Sequence, residues 1–317
     1  MDMPRRTRVL LSAPYLLPVL DRFRPEFEAR GIELVVPQVL ERLEEAELLA
    51  LVEDIDGVIC GDDRFTDRVL ATAKRLRVIC KWGTGIDSID QAACARRGIA
   101  LRNTPDAFSQ PVSDTVLGYM LCFARKIPWM DAQMKAGVWD KIPSFSLRES
   151  TLGVVGVGNV GRAVIRKARG FAVRILATDI RSIGSEESEQ LGIQVVSREQ
   201  LLRESDFISL NCDLNPTSHH YLSHDAFSLT KANAVVINTS RGPVIDEPAL
   251  IRALETGRIG GAALDVFEDE PLPPDSPLRR MSNVLLAPHN SNSSPEAWER
   301  VHRSTLHSLF EELERTP

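Results

Sequence analysis

The sequence predicts an α/β protein built on parallel sheets, and three observations carry that reading. Short β-branched runs alternate with helical stretches along all 317 residues, the rhythm of parallel strands covered by helices on both faces. The rhythm runs twice, with a long apolar helix between the two runs. A glycine-rich turn joins a strand to a helix early in the second run. At roughly 100–200 residues per domain the length predicts two domains, and a hydrophobic fraction of 43% with 26% charged residues allows each a buried core.

In the first run the candidate strands are 8–11, 32–36, 57–60, 78–81 and 99–101, with helical stretches at 17–30, 42–52, 66–74 and 89–96. The pattern changes near Asn103-Thr104-Pro105-Asp106. Residues 110–125 are long and apolar (Val112, Val116, Leu117, Met120, Leu121, Phe123) and predict a helix buried on most sides. Pro128 and Pro143 then bracket a less regular segment containing Trp129 and Trp139. The second run offers strands at 151–156, 173–178, 194–196, 207–210, 234–238, 261–264 and 284–287, with helices notably at 160–169 and 247–255. A closing helix, 295–312, repeats Trp298, Val301, Thr305, Leu309 and Leu313 at helical spacing, with Ser294 as N-cap and Pro295 in the first turn. His302 and His307 read as surface residues of that helix.

Charge and cysteines narrow the function classes. Lys and Arg number 38 against 44 Asp and Glu, a net charge of −6, which is no argument for nucleic acid or anionic membrane as partner, since both favour dense basic patches. No apolar run approaches the ~18 residues of a membrane span. Cys60, Cys80, Cys94, Cys122 and Cys212 are odd in number and contain no C-x-x-C pair, so neither a disulfide framework nor a zinc site is expected. Cys60 and Cys80 lie in apolar runs and read as core residues. Arg5-Arg6-Thr7-Arg8 before an apolar run faintly suggests an export signal, but Pro14 and Pro18 interrupt it, and a first strand in a cytoplasmic protein is expected. His219, His220 and His224 follow Asn215-Pro216, but no carboxylate or cysteine completes a metal site there, so they read as solvated or capping.

The chemistry begins at the glycine turn. Gly156, Gly158 and Gly161 form G-x-G-x-x-G between a strand and a helix. The first allows the turn, the second lets backbone approach a pyrophosphate, and the third lets helix and strand pack closely. The helix N-terminus then faces the phosphates. The next strand ends in Asp179, where an acid gripping ribose hydroxyls belongs. Its charge repels a 2′-phosphate, so NAD is expected over NADP, with Arg181 the one nearby counter-signal.

Three more segments follow apolar strands: Asn238-Thr239-Ser240-Arg241-Gly242, Asp265-Val266-Phe267-Glu268-Asp269-Glu270-Pro271 and Ala287-Pro288-His289-Asn290. An Arg, a Glu and a His at strand ends are the parts that reduce a 2-oxo acid. Guanidinium holds the carboxylate bidentately, imidazolium protonates the carbonyl oxygen, and a carboxylate beside the His favours that form and orients the ring.

With these motifs and Gly83-Thr84-Gly85-Ile86-Asp87, the chain resembles the D-isomer-specific 2-hydroxyacid dehydrogenase family, which includes D-3-phosphoglycerate dehydrogenase, over nearly its whole length. The resemblance implies Arg241, Glu270 and His289 as catalytic residues. It implies Gly156, Gly158, Asn159, Val160, Gly161, Asp179, Cys212, Thr239, Asp265 and Thr84 as cofactor-binding residues, and Lys81, Gly83, Thr84, Gly85 and Arg241 at the substrate. No metal is implied. The implied fold has two Rossmann-like or flavodoxin-like domains. An NAD-binding domain, 103–289, is inserted in a discontinuous catalytic domain, 1–102 plus 290–317. The expected protein is an NAD-dependent oxidoreductase for small D-2-hydroxy acids or 2-oxo acids, a homodimer through its NAD domains.

Some positions depart from the family pattern. His289-Asn290-Ser291 replaces the usual glycines after the histidine, and Asp114 stands where Glu is common. Lys81 matches a cation of phosphoglycerate dehydrogenases, yet Asp62 and Asp63 would repel a phosphate, which disfavours 3-phosphoglycerate. The rival readings are an NAD(H)-sensing, corepressor-like binding protein on the same fold and a dehydrogenase of phosphite or another small oxyanion.

Overall fold

Twelve strands, all paired in parallel, form two sheets in a computed structural model that describes residues 5–315. The chain divides into two compact units. One runs to Phe108 and resumes at Ser294, and the other is Ser109–Ser293.

In the discontinuous unit, β1 (Arg8–Leu11), β2 (Glu33–Val35), β3 (Gly57–Cys60), β4 (Val78–Lys81) and β5 (Ala100–Arg102) lie in the order β2-β1-β3-β4-β5. The inner strands β3 and β4 are buried at every position. That is why Gly-Val-Ile-Cys and Val-Ile-Cys-Lys read as continuous runs rather than alternations. Cys60 and Cys80 are buried within them, as expected. Cys60 stands opposite Lys81 in register, so the loops leaving β3 and β4 start side by side. The helix Pro295–Glu314 covers one face of this sheet. Leu309 comes so close to β3 that a Cβ on Gly57 would stand 3.0 Å from its Cδ1.

Two expectations in this unit need correction. The helix expected over 17–30 is broken into a 3₁₀ turn, Leu17–Arg22, and a short helix, Arg24–Glu28. Pro18 and Pro25 each sit in a first turn, because neither can supply the N–H that an unbroken helix requires. His302 is not a surface residue. It is 3% exposed, and its Nδ1 accepts a hydrogen bond from Trp82 Nε1 at 2.9 Å. It lies beside Val301 on the apolar face, and a partnered imidazole is tolerated there.

In the other unit, β6 (Thr151–Val155), β7 (Arg174–Thr178), β8 (Gln194–Val195), β9 (Phe207–Leu210), β10 (Val235–Asn238), β11 (Gly261–Leu264) and β12 (Val284–Leu286) lie in the order β12-β11-β10-β9-β6-β7-β8. The chain leaves β6 toward β7 and later returns to β9 on β6's other side. The order therefore reverses between β6 and β9, where a doubly wound sheet opens a crevice for a dinucleotide.

The helix Ser109–Arg125 buries Val112, Val116, Leu117, Met120 and Phe123 but leaves Gln110, Asp114 and Gly118 exposed. Within the unit it is covered on one face, not on most sides. The segment after it is more regular than expected. Ile127–Lys135 is helical, with Pro128 in the first turn where its missing N–H costs nothing, and Trp129 Nε1 donates to Ser282 O at 2.6 Å. No helix among the described residues is long and apolar enough to cross a membrane.

Candidate active site

The glycine turn sits at the carboxyl end of β6, against the loop leaving β9. Gly156 has φ +88°, and a Cβ there would meet the backbone of Asn211 and Cys212 at 2.9 Å. A Cβ on Gly161 would lie 2.0 Å from the Gly156 carbonyl oxygen, so this position admits no side chain. Gly158 differs from both: it is exposed, and a Cβ there would meet nothing within 4 Å. Space is therefore kept beside the first turn of the helix Asn159–Ala168, whose N-cap Gly158 offers no side-chain cap. Thr239 Oγ1, at the carboxyl end of β10, is buried without a hydrogen-bond partner among the described residues. An open glycine face on a helix N-terminus and an orphaned hydroxyl are what a bound dinucleotide would satisfy. The residues present therefore fit an NAD(P) cofactor.

Asp179 follows β7. Its Oδ2 accepts from Val157 N at 2.6 Å and its Oδ1 from Arg181 N at 2.9 Å, which ties the acid to the glycine turn. The Arg181 guanidinium is turned onto Glu187, at 2.6 and 2.9 Å, and Arg162 reaches the same carboxylate at 2.5 Å. Half-buried Cys212 has its thiol pushed up to about 11 by burial.

The three candidate catalytic side chains belong to the same unit. Arg241 leaves β10 through a turn in which Asn238 Nδ2 donates to the Arg241 carbonyl at 2.9 Å and Asn238 Oδ1 accepts from Ser240 N at 3.1 Å. The next residue must be glycine, because a Cβ on Gly242 would fall 1.9 Å from the Phe267 carbonyl. This contact presses the Arg241 loop against the loop that carries Glu270. There Glu270 Oε1 accepts from Phe267 N at 3.0 Å, and Oε2 lies 3.0 Å from His289 Nδ1. The Glu270–Pro271 peptide bond is cis.

Fully buried Asp265 holds the histidine segment. Its carbonyl accepts from His289 N at 2.8 Å, and its two carboxylate oxygens accept from Asn290 N and Ser291 N at 2.8 and 2.9 Å. Three successive N–H groups on one residue explain how His289 keeps a φ of +48°, a conformation few non-glycine residues adopt. They also show how a chain without glycines after the histidine still fixes this backbone.

One neighbouring group corrects the sequence reading. His220 Nε2 lies 2.9 Å from Glu268 Oε1, and Glu268 also accepts from Glu247 N at 3.3 Å. A carboxylate does reach the histidine group, and Glu268 ties the loop that carries Glu270 to its surroundings. The pair is separated by 48 positions, so no local spacing could reveal it.

The remaining candidates lie in the discontinuous unit, at the carboxyl end of β4. Gly83 has φ +118°, its carbonyl accepts from Thr104 N at 2.8 Å, and exposed Thr84 donates from Oγ1 to Thr104 O at 3.0 Å. Gly85 follows, partly exposed. Lys81 is 5% exposed, and its Nζ lies 3.2 Å from Asp62 Oδ1.

Residues 117–291 match the family model of the D-isomer specific 2-hydroxyacid dehydrogenase, NAD binding domain. The chain is 36% identical over 271 residues to a glyoxylate reductase of Korarchaeum cryptofilum, covering 83% of this chain and 81% of that one. It is 39% identical over 264 residues to a D-3-phosphoglycerate dehydrogenase of Methanocaldococcus jannaschii, covering 82% of this chain but only 50% of that protein. Among solved structures, the TT0316 protein of Thermus thermophilus is 32% identical with a TM-score of 0.84, over 97% of each chain.

Proposed function

The chain belongs to the D-isomer specific 2-hydroxyacid dehydrogenase family, and from that premise we propose that it interconverts a small 2-oxo acid and its D-2-hydroxy acid with NAD(H). The observation that carries the proposal is the His289–Glu270 contact of 3.0 Å, in the same unit as the glycine turn. When bound, the nicotinamide supplies or accepts the hydride. Arg241 holds the substrate carboxylate with its forked guanidinium. Glu270, itself fixed by Phe267 N, holds His289 through Nδ1 and favours the imidazolium. The proton exchanged with the substrate oxygen is then the one on Nε2. His289 is the acid in reduction and the base in oxidation.

NAD is preferred over NADP because Asp179 carries a negative charge where a 2′-phosphate would sit, and Glu187 engages Arg181. The discontinuous unit is the substrate domain and Ser109–Ser293 the NAD domain. Two copies associate through the NAD domain, where Ile127, Met134, Val138 and Trp139 are 51%, 52%, 40% and 82% exposed.

The test is oxidation of NADH, and separately NADPH, with glyoxylate, hydroxypyruvate, pyruvate and bulkier 2-oxo acids, with NAD and phosphite as a further arm. Turnover with at least one small 2-oxo acid is expected, with NADH the better coenzyme. Binding of NADH without turnover of any substrate would point instead to an NAD(H)-sensing protein. Light scattering tests the dimer, with Trp139→Glu expected to weaken it.

A further inference from the structure

His220 joins the two loops that carry Arg241 and Glu270, yet it has no part in the proton or hydride transfer. Its N–H donates to the Pro243 carbonyl at 2.8 Å, just beyond Arg241. Its ring Nε2 lies 2.9 Å from Glu268 Oε1, just before Glu270. An ionised carboxylate only accepts, so Nε2 carries the proton of that bond. Leu222 N donates to the Val244 carbonyl at 3.2 Å, and its carbonyl accepts from Asp246 N at 3.0 Å. The segment that carries His220 therefore runs beside the Arg241 loop as a short parallel bridge. All of these residues belong to the unit Ser109–Ser293.

Two features set this contact apart from an ordinary surface pair. His220 holds φ +51°, a conformation few residues other than glycine adopt and one that persists only where the surroundings fix it. Glu268, in turn, stands among like charges. Its N–H donates to Glu247 Oε2 at 3.2 Å, while its own Oε1 accepts from Glu247 N at 3.3 Å. Burial, and then the charges of Glu268 and Asp269 against the relief of the Glu268 N–H, raise the Glu247 carboxyl. Three acids thus meet near the start of the helix Glu247–Glu255. His220 gives one of them a donor, with the His219 ring stacked on it at 4.0 Å.

We propose that His220 is a positioning residue for Glu270: by tying Glu268 to the Arg241 loop it keeps the turn Phe267–Glu270 in place, and with it the Glu270 carboxylate on His289. The contacts are continuous. Nε2 of His220 holds Glu268, Phe267 N holds Glu270 Oε1 at 3.0 Å in the same turn, and Glu270 Oε2 meets His289 Nδ1 at 3.0 Å. Without the His220 donor, Glu268 faces Glu247 and Asp269 uncompensated, and like charges push the turn away. Glu270 favours the His289 imidazolium only while it stays in contact, so a displaced turn lowers the pH at which His289 titrates. Loss of a neighbouring cation with the turn unmoved would raise that pH instead, so the sign of the change separates positioning from a direct charge effect. The inference rests on the catalytic roles proposed above for His289 and Glu270.

His220→Asn and His220→Gly both accept the left-handed backbone, and neither side chain reaches Glu268. His220→Gln extends an amide N–H to about the place of Nε2 and should restore the tie. The His289 ring is followed by NMR against pH in protein without substrate, its signal identified by its absence in His289→Asn. The titration midpoint is expected to fall by about 0.5 pH unit or more in the Asn and Gly variants, and to return to within about 0.2 unit of the wild type in His220→Gln. The alkaline limb of kcat/KM for NADH-dependent reduction of glyoxylate or hydroxypyruvate should move in step with it. A midpoint that stays or rises in the Asn and Gly variants, or that falls as far in His220→Gln, overturns the role of His220 while leaving the reductase reading intact. Absence of turnover with every 2-oxo acid overturns the reductase reading itself, and this inference with it.

Discussion

Two ion pairs stand at strand ends in the two units, and they are built for different tasks. His289–Glu270 joins a titratable base to a carboxylate at 3.0 Å, with side chains 19% and 17% exposed. Lys81–Asp62 joins an amine head group to a carboxylate at 3.2 Å, with side chains 6% and 29% exposed. The first pair can pass a proton because its cation is conditional. The second holds a buried ammonium against a fixed carboxylate. The supports differ in the same sense. Backbone N–H groups fix the segments of the first pair through Asp265 and Phe267, whereas a neighbouring buried acid, Asp63, anchors the second.

Removing the conditional cation should produce the largest effect. His289→Asn is expected to lower turnover by ~10²–10⁴ while NADH binding, measured by fluorescence titration, is retained. Turnover within a few fold of the wild type would show that the proton comes from elsewhere. Arg241→Lys tests whether geometry or charge matters beside that pair. A point charge cannot reproduce a bidentate grip, so KM should rise by about tenfold to a hundredfold with a smaller change in kcat. An unchanged KM would remove Arg241 from substrate capture.

Asp179 is a fixed carboxylate on the glycine-turn side, proposed to select the coenzyme by repulsion. Its backbone contacts to Val157 and Arg181 can be kept in part by an amide, so Asp179→Asn isolates the charge. The ratio of kcat/KM for NADPH over NADH is expected to rise on the order of tenfold. A ratio that does not move would mean that shape, not charge, sets the preference.

These residues also differ in how far the sequence discloses them. Gly156, Gly161 and Gly242 are legible because each is required where backbone meets backbone, at 2.9 Å or closer, and only glycine fits. Arg241, Glu270 and His289 are legible because each follows an apolar strand within a few residues. The fully buried inner strands β3, β4, β6, β9, β10 and β11 are legible almost residue by residue, since burial on both faces leaves an unbroken run. What escapes depends on distant partners. The contact of His302 with Trp82 spans 220 positions, and that of Asp63 with Ser12 spans 51. The helix Ile127–Lys135 escapes for another reason: Pro128 reads as a breaker unless it falls in a first turn.

The anchor of the second pair can be tested through stability. Burial raises the Asp63 carboxyl to about 6, above the ordinary 3.8, so between those values the folded chain holds more protons than the unfolded one. Stability from this group therefore falls as pH rises from about 4 to 6, and above 6 the full penalty, ~3 kcal/mol at most, is in place. Buried His302 acts in the opposite direction. Burial lowers its pKa below 6.5, so the unfolded chain is protonated first as pH falls, and stability from this group is lost below about 6.5. The two slopes partly cancel in the wild-type protein, so a pH scan of that protein alone would hide both. Asp63→Asn should separate them, because an amide can still accept from Leu43 N and bond Ser12 without the buried charge. Its melting temperature relative to the wild type should be more favourable at pH 7.5 than at pH 4, with the difference developing between about pH 4 and 6. A constant difference across that range would mean that Asp63 does not titrate there, and that Asp62 is held beside Lys81 by an acid that stays in one protonation state.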